Sequence, residues 1–299
     1  MELRTLRYLV AVAQEGNISN AAAALHVTQP TLSRQLAALE EEVGCPLFTR
    51  TYKGMELNEN GAKLLRYAES ILELVEKAED DLAPESGSVK GAVHIGAGET
   101  MNMVLIGEAM RLTLEAHPDI DFQLYSGTSV DLTDGMARGA YDLLVECELK
   151  GHVDMNVLEL PVRDRWGVMT PRGSRLSMLE HVKPKNLIGE PLFMSRQGMK
   201  TGMLEKWAGS TAASLDVRVQ YSLPLNAALL ARAGVGSILT YEGLLETGSD
   251  TDLVFVPLSP ELTSRQGILW RKGPLSKQAE VFLENLKTVC ENAQKQQRG

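Results

Sequence analysis

Between Thr28 and Gln35 the chain carries Gln29, Pro30, Thr31, Ser33 and Arg34, short polar side chains and one guanidinium within two helical turns. Groups of this kind can read base-pair edges: an amide matches adenine, a guanidinium matches guanine or a phosphate, and a hydroxyl suits either. An amphipathic helix with a merely solvated face would carry the same residues, so the segment alone leaves both readings open. A second polar set lies further along: Thr100, Met101 and Asn102 after a glycine-containing turn, then Ser126, Thr128 and Glu146, then Ser195, Arg196 and Gln197. Hydroxyls, amides and single charges at such turns suit a small ligand. Arg196 fits a carboxylate or phosphate, whereas Glu99 and Glu146 would select an amine, so the charge of the ligand stays open. Thr100, at the start of an expected helix, has two roles open to it: ligand contact or capping.

Other chemistry is missing from the pattern. The five histidines (His26, His94, His117, His152, His181) are scattered, without metal-ligand spacing or a Ser/His/Asp order, so neither catalysis nor a metal is expected. Gly96-Ala97-Gly98 lacks the further glycine of a dinucleotide fingerprint. Cys45, Cys147 and Cys290 stand far apart and fit a reducing compartment; packing is their default role, and a redox pair between Cys147 and Cys290 is the sharper alternative.

The elements that position these residues follow from periodicity. Leu3, Leu6, Leu9 and Val12 recur at helical spacing up to Gly16-Asn17, and a short alanine-rich helix runs from Ser19, its expected N-cap, to Leu25. Thr28 then caps a third helix whose Pro30 falls where amides have no intrahelical partner. In that helix Leu32, Leu36, Leu39 and Val43 form the stripe that must face a core, which turns the polar set of Gln29 to Arg34 outward. Pro46 to Leu57 reads as a β-hairpin with Lys53-Gly54 at its tip, a wing carrying Arg50 and Lys53 toward backbone or minor groove.

Residues Ala21 to Leu36, followed by Leu39 to Gly44 and Leu47-Phe48-Thr49-Arg50, resemble the winged helix-turn-helix of LysR-type transcriptional regulators. The resemblance implies DNA contacts from Thr28, Gln29, Pro30, Thr31, Ser33, Arg34, Arg50 and Lys53. It also implies a double-stranded, pseudo-palindromic promoter site, assembly as a dimer of dimers (a homotetramer), RNA polymerase as a further partner, and a small-molecule co-inducer as the only expected ligand.

Asn58 can cap a long helix from Glu59 to about Leu82, where Leu65, Ala68, Leu72 and Val75 follow a heptad seam. A seam on a helix joining two domains favours dimerisation, as the resemblance also implies. Residues 83–88 read as a hinge. From Val89 short apolar runs alternate with helical stretches, which predicts parallel strands with crossover helices. The expected architecture is α/β multidomain: a winged helix-turn-helix at 1–58, a linker helix and hinge at 59–88, and a two-lobed effector domain at 89–299. Lobe I spans about 89–161 plus 266–299 and lobe II about 162–265, with a cleft between them. By the resemblance this domain is similar to periplasmic binding proteins. After Ile238-Leu239 the family's common Leu-Pro is replaced by Thr240-Tyr241, which unsettles any pocket detail carried over there.

Composition agrees with this reading. The 299 residues exceed one compact domain, 44% are hydrophobic and 23% charged, and no apolar run reaches membrane-spanning length. The first residues lack the apolar core of a secretory signal, so a cytoplasmic location and no membrane partner are expected. The net charge of -9 is unusual for a nucleic-acid partner; the expectation is that acid concentrates in the C-terminal part and on solvated helix faces. A cytoplasmic solute-binding or redox-sensing regulator using Cys147 and Cys290 is the alternative function.

Overall fold

The computed structural model describes residues 1–51, 54–81, 88–247 and 251–298, and the chain divides into two compact units, Met1–Pro84 and Glu85–Gly299.

The first unit opens with α1 (Leu3–Glu15), α2 (Ile18–Ala24) and α3 (Gln29–Val43). Gly16 ends α1 in the left-handed conformation. Asn17, rather than the expected Ser19, caps α2: its side chain accepts the Ser19 and Asn20 amides at 2.8 and 3.3 Å. Asn17 has the extended backbone a cap requires, while Ser19 already lies inside the helix. His26 takes φ 54°, and the His26 and Val27 amides return to the Ala23 and Ala22 carbonyls, a Schellman closure of α2. Leu32, Leu36 and Leu39 are fully buried as their stripe requires. Val43, assigned to the same stripe, is exposed, because the helix runs past the core in its last turn.

Leu32 and Leu36 pack with Tyr8, Val12, Ala21 and Ala22, and Phe48 and Met55 close that core from the hairpin. The hairpin strands β1 (Phe48–Thr51) and β2 (Gly54–Leu57) pair antiparallel, from Phe48 opposite Leu57 to Thr51 opposite Gly54. Asn58 caps α4 (Glu59–Asp81) through the Gly61 amide at 3.0 Å and ties back to the Pro46 carbonyl at 2.8 Å. A Cβ at Gly61 would stand 2.1 Å from the Leu47 carbonyl oxygen, so only glycine allows α4 to start against that strand. Part of the α4 seam buries within its own unit. Ala68 is fully buried against Leu6, Leu9, Leu39 and Leu47, and Leu72 packs on the same cluster.

The second unit holds two sheets. In the first, β3 (Gly91–Ala97), β4 (Ile120–Ser126) and β5 (Leu143–Glu146) are parallel. They are linked by α5 (Met103–Ala116) and α6 (Ser129–Arg138), and β6 (Met155–Glu159) follows. In the second, β7 (Asp164–Pro171) is followed by β8 (Pro191–Ser195), α7 (Arg196–Lys200), α8 (Met203–Ala208), β9 (Asp216–Tyr221), α9 (Pro224–Arg232), β10 (Ser237–Tyr241) and β11 (Leu253–Pro257). The short β12 (Thr263–Ser264) pairs with β7, and the chain returns through β13 (Gly267–Arg271) and α10 (Lys277–Arg298) to the first sheet.

Both sheets are mixed, so the expected parallel strands with crossover helices make up only part of each sheet. The orders are β4-β3-β5-β13-β6 and β11-β7-β10-β8-β9. β13 lies antiparallel between β5 and β6, and β7 antiparallel between β10 and β11. The two antiparallel strands, β7 and β13, each enter their sheet from the other one along a connection between the sheets instead of over a crossover helix. The central strands of each sheet are buried on both faces. Ile95, Leu143 and Ile268 meet α5 and α10 through Ile106, Phe282 and Leu286, while Leu144 and Leu269 face α6 through Leu132 and Met136. In the second sheet Val168 and Leu239 face one core and Met169 and Ile238 the other, as the period of two requires.

Candidate functional site

The polar side of α3 stands free where the leucine side is sealed. Thr28, Gln29, Pro30 and Arg34 are exposed, and Thr31 and Ser33 half-buried. Thr28 occupies the cap position, yet its hydroxyl bonds that of Thr31 at 2.8 Å instead of a helix amide. Gln29 and Arg34 have no hydrogen-bond or ion-pair partner among the described residues. The hairpin is fixed beside this helix by Phe48 and Met55 in the shared core and by the Met55 amide on the Gly16 carbonyl at 3.1 Å. Arg50 is on β1; its side chain and the whole of Lys53, the expected tip, lie outside the described residues. On α4, Leu65 and Val75 are half-buried without joining the core that takes Ala68 and Leu72.

In the second unit the carboxyl ends of all six parallel strands converge on one cleft of about 580 Å³ counted to its open mouth. This is where an open α/β sheet receives ligands, because strand ends and helix starts leave backbone groups and short loops there. The first sheet contributes Gly98, Glu99, Gly127, Thr128, Cys147 and Glu148; the second contributes Trp166, residues 195–198 and 221–224, Thr240, Tyr241 and Leu244. Of the expected ligand residues, Thr128, Ser195, Arg196 and Gln197 line it. Thr128 and Ser195 also cap the helices that follow them, accepting the Asp131 and Gly198 amides at 3.4 and 3.0 Å.

Thr100, Met101, Asn102, Ser126 and Glu146 do not line this cleft. Ser126 is exposed at the end of β4. Glu146 lines a smaller adjoining cavity and bonds His152 at 2.8 Å and the Lys150 amide at 3.2 Å. Thr100 and Asn102 are buried at the two strand connections between the sheets. Asn102 donates to the Val162 carbonyl at 2.7 Å and accepts the Val162 amide at 3.3 Å, gripping the first connection on both sides. Gln266, on the second connection and fully buried, accepts the Asp164 amide at 3.3 Å and donates to the Cys147 carbonyl at 3.1 Å. Its carbonyl takes the Leu160 amide at 2.9 Å, so one glutamine sews both crossings together. Met101 gives its amide to Asp164 at 3.2 Å.

Sequence reasoning missed Trp166, Tyr221, Glu148 and the Leu223-Pro224 start of α9. A proline at a first helical turn directly after a strand run was the available signal for the last of these. Tyr241, noted only as a departure, forms a wall with Trp166, ring centres 4.4 Å apart at 61°. Tyr221 bonds the Leu239 carbonyl at 2.7 Å.

The electrostatics are those of a partly dry cleft. Burial pushes the Glu99 and Glu148 carboxyls above the usual carboxylate range. Burial also raises Asp164, tempered by the Thr100 hydroxyl and the Met101 amide. Cys147 is pushed far up by burial and by the carboxylates around it, and Cys290 is pushed up to about 11 by burial. Both therefore stay thiols, the unreactive form. They also sit in different cores: Cys147 packs with Trp166 and Tyr241, Cys290 with Phe282 and Leu286, so the packing role expected by default fits both and the alternative redox pairing has no geometric basis here. Among the described residues there is no cluster of side chains that could hold a metal. Nor is any described helix long and apolar enough to cross a membrane.

A winged helix-turn-helix and a two-sheet domain with a ligand cleft define a DNA-binding regulator that answers to a small molecule. Two family models match: the bacterial regulatory helix-turn-helix protein of the lysR family over residues 3–62, and the LysR substrate binding domain over residues 86–291. The chain belongs to the LysR family of transcriptional regulators. It is 26% identical over 287 residues to the HTH-type transcriptional regulator YybE of Bacillus subtilis (strain 168), covering 94% of this chain and 97% of that one. It is 27% identical over 201 residues to the hydrogen peroxide-inducible genes activator of Dickeya chrysanthemi, covering 66% and 65% of the two chains. The solved structure of full-length CbnR complexed with its target DNA is similar in fold, with TM-score 0.71, 22% identity, and 97% and 100% of the two chains covered.

Proposed function

We propose that α3 enters the major groove of a promoter half-site, with Gln29, Thr31, Ser33 and Arg34 facing base edges and the hairpin against the backbone. The single observation that carries this is the division of α3: Leu32, Leu36 and Leu39 are sealed in the core, while Gln29 and Arg34 stand exposed and unpartnered. Two copies, paired through the side of α4 that bears Leu65 and Val75, read a pseudo-palindrome; pairs of dimers span a longer site and reach RNA polymerase. A small-molecule effector bound among Thr128, Ser195, Arg196 and Gln197 draws the two sheets together and shifts the balance between assemblies. A peroxide-sensing role, which the name of the Dickeya relative would suggest, is not adopted, because both relevant cysteines are buried thiols with raised pKa. The test is a gel-shift comparison at moderate salt. The chain should prefer its own promoter fragment to random duplex, and equal affinity for both would refute the reading.

A further inference from the structure

Three ionisable groups of the cleft differ in how their charge is met. Glu148 has the Thr201 hydroxyl as a hydrogen-bond partner and the Lys150 and Lys206 ammonium groups near it. Arg196 is exposed, so water solvates its guanidinium and it discriminates weakly between ligand charges. Glu99 is different: the residue is half-buried in the wall of the cleft, and its Oε2 has no hydrogen-bond partner. A buried carboxylate oxygen left unmatched is costly, and natural sites seldom keep one without a use.

The backbone holds Glu99 in that position deliberately. The Cys147 thiol donates to the Glu99 carbonyl at 3.3 Å, and a Cβ on Gly98 would fall 2.4 Å from the same sulfur. Glycine at 98 therefore lets the chain press against β5 and present the next side chain to the cleft. Trp166 and Tyr241 line the same cleft, and aromatic rings attract cations and not anions.

We propose that the effector carries a protonated amine whose ammonium sits on Glu99, with its apolar part against Trp166 and Tyr241. This rests on the reading of the cleft as the effector site. A carboxylate in the same place would oppose a buried negative charge with only a solvated guanidinium to compensate.

The test uses the full chain and three probes of one shape: benzylamine, benzyl alcohol and benzoate, titrated by calorimetry at neutral pH. Benzylamine should bind best and benzoate worst. Glu99→Gln should weaken benzylamine by about thirtyfold or more, the usual loss when one partner of a buried charge pair is removed, and leave benzyl alcohol unchanged. Benzoate binding more tightly than benzylamine overturns the proposal, as does unchanged amine affinity in Glu99→Gln or binding of none of the three. The order of the probes on the unaltered protein decides the matter even where the variant does not fold. Gel shifts on the promoter fragment keep the two readings apart: selective DNA binding by the unaltered chain stands or fails independently of the probe series.

Discussion

Replacing Asn102 by alanine separates two roles for the same side chain, ligand contact and tie between the sheets. Asn102 is fully buried and makes four polar contacts: to the Val162 carbonyl and amide at 2.7 and 3.3 Å, to the Thr100 hydroxyl at 3.3 Å and to the Gln266 amide oxygen at 3.4 Å. Each intramolecular hydrogen bond contributes about 1 kcal/mol net, and a stranded buried partner costs about 1–3 kcal/mol. The contacts to Thr100 and Gln266 count for little, because Thr100 keeps the backbone amide of residue 102 and Gln266 keeps the Asp164 amide. The main loss is the pair to Val162, which is only half-buried and regains some water. A destabilisation of about 2–4 kcal/mol results, or roughly 4–16 °C in Tm for a unit of this size. Scanning calorimetry should show the transition of the second unit lowered by that amount and that of the first unit unmoved. Asn102→Asp should melt no higher than the alanine variant, because it turns a buried carboxylate oxygen toward the Val162 carbonyl where the amide nitrogen donated. An unchanged Tm together with a lost effector response would refute the connection role and return Asn102 to the ligand site.

Arg34→Ala should weaken specific promoter binding by about 1–3 kcal/mol and leave Tm unchanged, since Arg34 is exposed and unpartnered; Arg34→Lys should restore the salt dependence and not the sequence preference. Fluorescence anisotropy across a salt series measures both, and equal rescue by lysine would argue for a phosphate contact alone. Val75→Glu should dissociate the dimer in sedimentation at little cost to folding, whereas Leu72→Glu should also unfold the first unit, because Leu72 packs on its core; a dimer intact in both variants would exclude the α4 face. Glu99 has a raised folded pKa, so its contribution is fully present below the ordinary carboxylate value and is lost as pH rises through the folded value. Glu99→Gln should accordingly melt above the unaltered protein at pH 7.5, with the gap closing toward pH 4. Parallel melting curves across that range would mean Glu99 is solvated.

Where an element is fixed by local periodicity, the sequence was enough to find it. The stripe of Leu32, Leu36 and Leu39 gave α3 its buried side, and the alternating runs gave most strands of the second unit. Choices decided by backbone conformation were less legible: Asn17 and Ser19 are equally good caps by type, and only the extended backbone at Asn17 selects it. The candidate ligand residues divide in the same way. Picking residues just after strands found Thr128 and Ser195, but Thr100 and Asn102 follow β3 by a few residues more and are drawn to the sheet connections by partners at 162 and 266. Contacts across such sequence distances leave no periodic trace. The same holds for Ala68, whose heptad position fits a partner helix while its actual neighbours come from α1, α3 and the segment before β1.

The acidic chain becomes consistent with a nucleic-acid partner once the placement of each charge is followed. In the first 58 residues the bases are Arg4, Arg7, Arg34, Arg50 and Lys53, and the acids Glu2, Glu15, Glu40, Glu41, Glu42 and Glu56. No carboxylate occurs in α3 before Glu40. Glu40 is occupied by the Leu47 and Phe48 amides at 2.7 and 3.2 Å, and Glu42 by the amino terminus. Exposed charges more than about 8 Å apart are largely screened at physiological salt, so the remaining acids repel a bound phosphate weakly. With so few bases, one copy also releases few counterions, and its affinity for arbitrary duplex must be low. On the proposed assembly, two or more copies engaging adjacent half-sites would supply tight binding, because linkage multiplies the affinities. On that proposal, an effector that altered the assembly would have a large hold on occupancy without touching a single base contact.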